Sequence, residues 1–356
     1  MIVTVLGTRA EFLRCIPFLR RIEECGIDHH FLHTGQNNID DIVKEFDMEF
    51  RSQSQLRSFR DVSTSVSRGA ARTPALICEI RQFLRTVKPR WVVCHGDTLT
   101  AFATAQAANG LSCRVAHIEA GFRSHSLFEP FPEEAFRTFV DHRSDVLFAP
   151  SDGAAKNLRY ERVSGEILHT GSTVPDVVEA ALGKGERHVQ EKGFVVVTAH
   201  RYENILSRSR LRKILKILTL PSMPIYYPVH EMTLASLKRF RMLHELESTG
   251  ARIVPPLSYS EFMELLLNCN YVITDGGSIE EEALIFGKPC VLLRKRTERI
   301  EAVTMGSSHL TKLDERIAAD IIRGIEQGEW RVQNLKNPYV VEGSATEHIA
   351  AYLTNA

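Results

Sequence analysis

Short apolar runs rich in β-branched residues recur along the chain, and stretches with helical spacing separate them. Ile2-Val3-Thr4-Val5-Leu6 is the first run, with a helix through Ile16 to Ile22 behind it; 30–33 and 91–94 are the second and third. Runs at 114–118 and 146–149 continue the series, between helical stretches at about 98–109, 133–142 and 151–158. The pattern then restarts at 194–198 and goes on through 225–229, 252–254, 271–274 and 290–293. Strand–helix alternation predicts parallel, doubly wound sheets. Between the two series, 170–175 and the polar stretch 183–193 read as a hinge region. The expectation is an α/β protein with two Rossmann-like domains facing across a cleft, and with ligands outside the carboxyl ends of the strands.

Composition narrows the class. With 356 residues the chain has length for about two domains, and 44% hydrophobic with 25% charged residues is ordinary for a folded, soluble protein. Lys+Arg and Asp+Glu both number 44, so the net charge of zero argues against a general nucleic-acid binder. No run reaches the length of a membrane span, and Met1 to Leu6 is too short for a signal-peptide core. Seven scattered cysteines without ligand spacing read as reduced core residues of a cytoplasmic protein with no metal site.

The candidate chemistry lies where polar residues follow strands. Gly7-Thr8-Arg9-Ala10-Glu11 is a glycine turn that can offer N–H groups and a guanidinium to phosphate, or simply a strand–helix turn with a surface arginine. It carries neither the dinucleotide fingerprint nor a P-loop. In His95-Gly96-Asp97-Thr98, Asp97 is either a functional carboxylate or the N-cap of the next helix. Glu119 ends an apolar strand in His117-Ile118-Glu119-Ala120-Gly121-Phe122-Arg123, and Glu133 opens a helix in Pro130-Phe131-Pro132-Glu133-Glu134. Three carboxylates at one sheet edge suit proton abstraction and return at a carbon atom. The second series supplies His200, His230 and the loop Thr274-Asp275-Gly276-Gly277-Ser278. That loop points a helix N-terminus at the ligand edge; the structural alternative is a capping box with Ser278 as N-cap and Glu281 three residues on.

In order and spacing these motifs resemble the non-hydrolysing UDP-N-acetylglucosamine 2-epimerases across nearly the whole chain. Gly287-Lys288-Pro289, Thr297-Glu298-Arg299 and Glu301-Ala302-Val303-Thr304 extend the match. The resemblance implies a glycosyltransferase-B-like architecture with domains at 1–170 and 171–335, and a segment 336–356 crossing back to the first. It implies reversible inversion at C2 of UDP-GlcNAc through bound UDP and 2-acetamidoglucal, with no cofactor. It assigns Asp97, Glu119, Glu133 and His200 to catalysis, and Arg9, Arg14, Arg137, His230, Gly276, Gly277, Ser278 and Glu282 to substrate binding. A homodimer is expected, with neither nucleic acid nor membrane as partner.

The departures are local. Arg14 stands for the family's usual lysine, the glycine loop reads Gly276-Gly277-Ser278 rather than Ser-Gly-Gly, and Phe136, Tyr202, Ile300 and Ala10 replace Asn, Arg, Pro and Pro. Gln36-Asn37-Asn38 lacks the histidine that bacterial members carry at a regulatory second UDP-GlcNAc site. The alternatives are a modified UDP-amino sugar as substrate, hydrolytic release of ManNAc and UDP, and a non-catalytic UDP-sugar sensor.

Overall fold

A computed structural model describes residues 1–356 other than 57–65, 127–129, 184–191, 331 and 333–335, and of 66–70 the backbone alone. The greater part of the expected hinge 183–193 lies outside the described residues. The chain divides into two compact units, 1–180 with 338–356, and 181–337.

The first unit is built on strands β1 (Ile2–Leu6), β2 (His29–His33), β3 (Gln53–Gln55), β4 (Trp91–His95), β5 (Arg114–Ile118), β6 (Val146–Ala149) and β7 (Glu166–His169). They pair in the order β3-β2-β1-β4-β5-β6-β7, parallel throughout. Chain order reverses between β1 and β4. The second unit holds β8 (Val195–Thr198), β9 (Ile225–Pro228), β10 (Arg252–Val254), β11 (Tyr271–Thr274), β12 (Cys290–Leu292) and β13 (Ser308–Leu310). Its parallel order is β10-β9-β8-β11-β12-β13, reversing between β8 and β11. Ligands of such sheets bind at these reversals, where the connections diverge to opposite faces and leave a crevice. The turns after β1, β4, β8 and β11 are therefore the places to look.

Central strands read as continuous apolar runs because both faces are covered; every residue of β1, β4, β8 and β11 is buried. The helix read through Ile16 to Ile22 spans Arg9–Glu24 and opens at the glycine turn, since Thr8 caps it and Glu11 completes a capping box. Residues 170–174 are buried within the first unit, where the Ser172 N–H donates to the Tyr339 carbonyl at 2.8 Å. The helix Ala345–Asn355 packs on Arg9–Glu24 in the same unit. All seven cysteines are free thiols, but Cys25 and Cys78 are exposed, so the expectation of core positions fails for these two. Cys25 is the C-cap of the helix Arg9–Glu24, and Cys78 lies on the solvent side of a helix whose buried positions are Leu76, Ile80 and Leu84.

Candidate active site

In the first unit, β4 and β5 are paired along their length, so the residues just beyond them are neighbours. Glu119 follows β5 with φ 68°, flanked in space by Gly96 at 66° and Gly121 at 87°. A glutamate in the left-handed region is strained by about 1 kcal/mol or more, which the surrounding contacts must offset. Arg14 reaches Glu119 from the helix Arg9–Glu24, with Nη1 donating to Oε2 at 2.5 Å. Arg137 donates to Asp97 from the helix Glu133–Asp141. Glu133 lies one turn before Arg137 on that helix, and residues four apart share a face. Asp97 is not an N-cap, because Thr98 caps the following helix by accepting from the Ala101 N–H. Buried His95, at the end of β4, has its Nε2 3.9 Å from Glu119, and burial pushes its pKa down to about 4.

Behind these groups lies a second layer that sequence reading did not find. Glu11 is fully buried, accepts from the Gly7 and Thr8 N–H groups at 2.9 and 2.7 Å, and receives the Thr98 hydroxyl. It ties the turn after β1 to the turn after β4. Burial raises its pKa against the pull of those hydrogen bonds. His117 and Asp141, both without exposure, meet at 2.7 Å. Burial alone would raise the Asp141 pKa, but the hydrogen bonds and charges of His117 and Arg123 outweigh it and hold the carboxyl below its usual range. Glu134 accepts from the Ser124 and His125 N–H groups, both at 3.1 Å, and so fixes the loop after Gly121.

Arg9, expected at a diphosphate, forms a bidentate pair with Asp41 at 2.6 and 2.7 Å on the surface. Gly7 has its own reason to lack a side chain, since a Cβ there would meet the Thr100 and Thr34 hydroxyls at 2.2 and 2.3 Å.

In the second unit one buried carboxylate organises the turn after β8. Asp275 follows β11 directly and accepts from the His200 N–H at 3.0 Å, the Arg201 N–H at 3.0 Å and Asn204 Nδ2 at 2.9 Å. The His200 ring is left 43% exposed, 5.5 Å from the His230 ring. His230 caps its own helix, its Nδ1 accepting from the Met232 N–H. The structural alternative, a capping box at Ser278, is absent. Gly277 occupies the N-cap position in helical conformation with no side-chain cap, and Ser278 is the first residue of the helix Ser278–Ile285. Gly277 also has a packing reason to be glycine, because a Cβ would meet Glu298 Oε1 at 2.5 Å and Arg299 Nη1 at 2.6 Å. Those two belong to a buried ion network. Arg299 binds Glu281 and Glu298 at 2.6 and 2.9 Å, Arg294 binds Glu298 at 2.6 Å, and Arg201 reaches Glu298 at 3.3 Å. Glu280 sits in the same network, its pKa pushed up to about 7 by burial. Glu282 accepts from the Tyr259 hydroxyl at 3.0 Å. Among the described residues no group of three or more His, Cys, Asp and Glu is placed to hold a metal ion.

The sequence profile of the UDP-N-acetylglucosamine 2-epimerase family matches residues 20–354. The chain belongs to this family. It is 32% identical to the UDP-N-acetylglucosamine 2-epimerase of Methanocaldococcus jannaschii, over 98% of each chain. It is also 32% identical to the UDP-2,3-diacetamido-2,3-dideoxy-D-glucuronate 2-epimerase of Pseudomonas aeruginosa, over 87% of each. Its structure resembles that of the Neisseria meningitidis UDP-GlcNAc 2-epimerase bound to UDP-GlcNAc, with a TM-score of 0.88 at 28% identity over the full length of both. The protein is therefore an epimerase of α/β, glycosyltransferase-B-like class. No helix among its described residues is long and apolar enough to cross a membrane.

Proposed function

We propose that the protein interconverts UDP-GlcNAc and UDP-ManNAc by reversible inversion at C2. The observation that carries this is the pair of arginine-held carboxylates, Asp97 and Glu119, on adjoining strand ends beside the sheet reversal, with Glu133 one turn from Arg137. A carboxylate on one face takes the C2 proton; the C–H electron pair forms the C1–C2 double bond, and the C1–O pair leaves with UDP. A carboxylic acid on the other face returns a proton to C2 while UDP adds back at C1, giving the epimer. The guanidinium groups of Arg14 and Arg137 fix the orientation of their acids, so less of the barrier is spent on alignment. His200, His230 and the N-terminus of Ser278–Ile285 hold the departing diphosphate, and preorganised donors of this kind stabilise charge as it develops. Glu282, steadied by Tyr259, takes the ribose hydroxyls.

Incubation with UDP-GlcNAc in deuterated water should place deuterium at C2 of both epimers. Substrate recovered unlabelled by a protein that binds UDP would overturn the reading, and accumulation of free ManNAc would assign hydrolysis instead. The likeness to the diacetamido-glucuronate epimerase favours a second reading, in which the sugar carries a further substituent. A kcat/KM at least tenfold higher on that UDP-sugar than on UDP-GlcNAc would select it. We further read the protein as a cytoplasmic homodimer, which fits seven unpaired thiols in a reducing compartment; light scattering measures the assembly.

A further inference from the structure

We propose that His117 is carried as an imidazolium and is the positioning residue that locks the Asp97 and Glu119 turns to each other; its role in turnover rests on the epimerase reading above. His117 lies on β5 with no exposure, two residues before Glu119. Its Nε2 is 2.8 Å from the Gly96 carbonyl, immediately before Asp97, and its Nδ1 is 2.7 Å from Asp141 Oδ1. A carbonyl oxygen only accepts, so Nε2 carries a proton. Asp141 Oδ2 faces two donors, Arg123 Nη2 at 2.7 Å and the Gly121 N–H at 3.2 Å, an environment suited to an ionised carboxylate. An ionised carboxylate also only accepts, so Nδ1 carries a proton too.

Charge bookkeeping leads to the same state. Arg123 is already matched by Glu161, which it binds through Nε and Nη2, both at 2.7 Å. One guanidinium thus serves two carboxylates, and the excess negative charge falls at Asp141, wholly out of water, where a buried charge needs compensation. Of the other titratable groups nearby, His95 stays neutral through burial, and half-exposed His142 has its Nδ1 2.9 Å from the Thr138 carbonyl and 3.9 Å from Glu161. The imidazolium completes the neutral set.

The mechanical consequence follows from what each end holds. One proton fixes Gly96, hence Asp97; the other fixes Asp141, whose second oxygen fixes Gly121, hence Glu119. Three left-handed residues, Gly96, Glu119 and Gly121, are thereby held by one cation.

Neutron diffraction from crystals of the perdeuterated protein at pH 7 should show deuterium on both His117 ring nitrogens and none on Asp141. Deuterium on a single ring nitrogen, or on Asp141 Oδ1, overturns the proposal and needs no variant. In His117→Gln, which can donate to only one of the two partners, kcat should fall on the order of 100-fold. The KM for UDP-GlcNAc should change by less than about threefold, the scale of a small binding effect, and calorimetric UDP affinity should hold. A kcat near that of the wild type, or a matching loss of UDP affinity, counts against positioning. Should the wild type leave UDP-GlcNAc unlabelled, the functional reading fails while the neutron map still decides the ring's state.

Discussion

The turns after β4 and β5 and the turns after β8 and β11 share one construction and present opposite chemistry. In each unit a fully buried aspartate gathers donors from the strand ends, Asp141 in the first and Asp275 in the second. Around Asp141 the compensating cations, His117 and Arg123, are buried as well, and acids stand at the strand ends. Around Asp275 the donors are backbone N–H groups of the very loop that presents His200, while Glu280, Glu281 and Glu298 lie buried with Arg294 and Arg299. In both units both members of the ion pairs lie underneath, and the difference is in the side chains that the turns leave at the strand ends.

This contrast can be broken at several points. The largest effect is expected from Asp97→Asn and Glu119→Gln, which remove the proposed acid–base groups of the first unit. Each should lower kcat by roughly 10²–10⁴-fold with calorimetric UDP affinity held; a parallel loss of UDP affinity would show that the two roles are not divided between the units. Next is Asp275→Asn. Hydrogen bonds to a charged acceptor are worth about 1.5–3 kcal/mol, so UDP affinity should weaken about tenfold and the melting temperature should fall. Unchanged affinity would detach the Asp275 scaffold from ligand binding.

A glycine pair sharpens the second half of the comparison. Gly277→Ala should cost about 1–3 kcal/mol through overpacking against Glu298 and Arg299. Gly276→Ala meets its nearest neighbours, side-chain atoms of Ile279 and Thr274, at 3.3 Å, so its melting temperature should fall by less than that of Gly277→Ala. A drop in UDP affinity for Gly276→Ala alone would mark that residue as the close approach to phosphate.

The last effect, about 2–3 kcal/mol, concerns Glu280. Its folded value near 7 lies above the ordinary 4.5. The native state therefore holds a proton that the unfolded chain has lost, and stability falls as pH rises through that interval. Urea midpoints at pH 5 and pH 8 should differ in this direction for the wild type. The difference should shrink in Glu280→Gln, and an equal difference in both proteins would refute the assignment.

Much of this architecture is written in local pattern, and the remainder is not for identifiable reasons. The central strands stand out because burial on both faces demands uninterrupted apolar residues. The missed strands are β3, β7 and β13, with the sequences Gln-Ser-Gln, Glu-Ile-Leu-His and Ser-His-Leu. All three are short and lie at sheet edges, where one side needs no apolar cover and the periodic signal fades. The candidate acids were legible because each sits at a junction between elements. Their supports were not, because Glu11 meets Thr98 across 87 positions and Asp275 meets His200 across 75. No spacing rule anticipates a partner chosen by the sheet order. The capping alternative at Ser278 fails for the opposite reason: the motif is complete locally, yet the helix starts one residue earlier.

The helix Ala345–Asn355 sets the order of events during synthesis. Tyr352 packs its ring against Trp91 and Phe148 and donates to Glu166, and Arg114 binds the Ala356 carbonyl at 2.7 Å. The first unit therefore stays incomplete while the ribosome makes residues 181–337, whose own contacts are all present once that segment has emerged. The unit begun first is finished last, so its apolar surface must wait uncovered through the translation of the other.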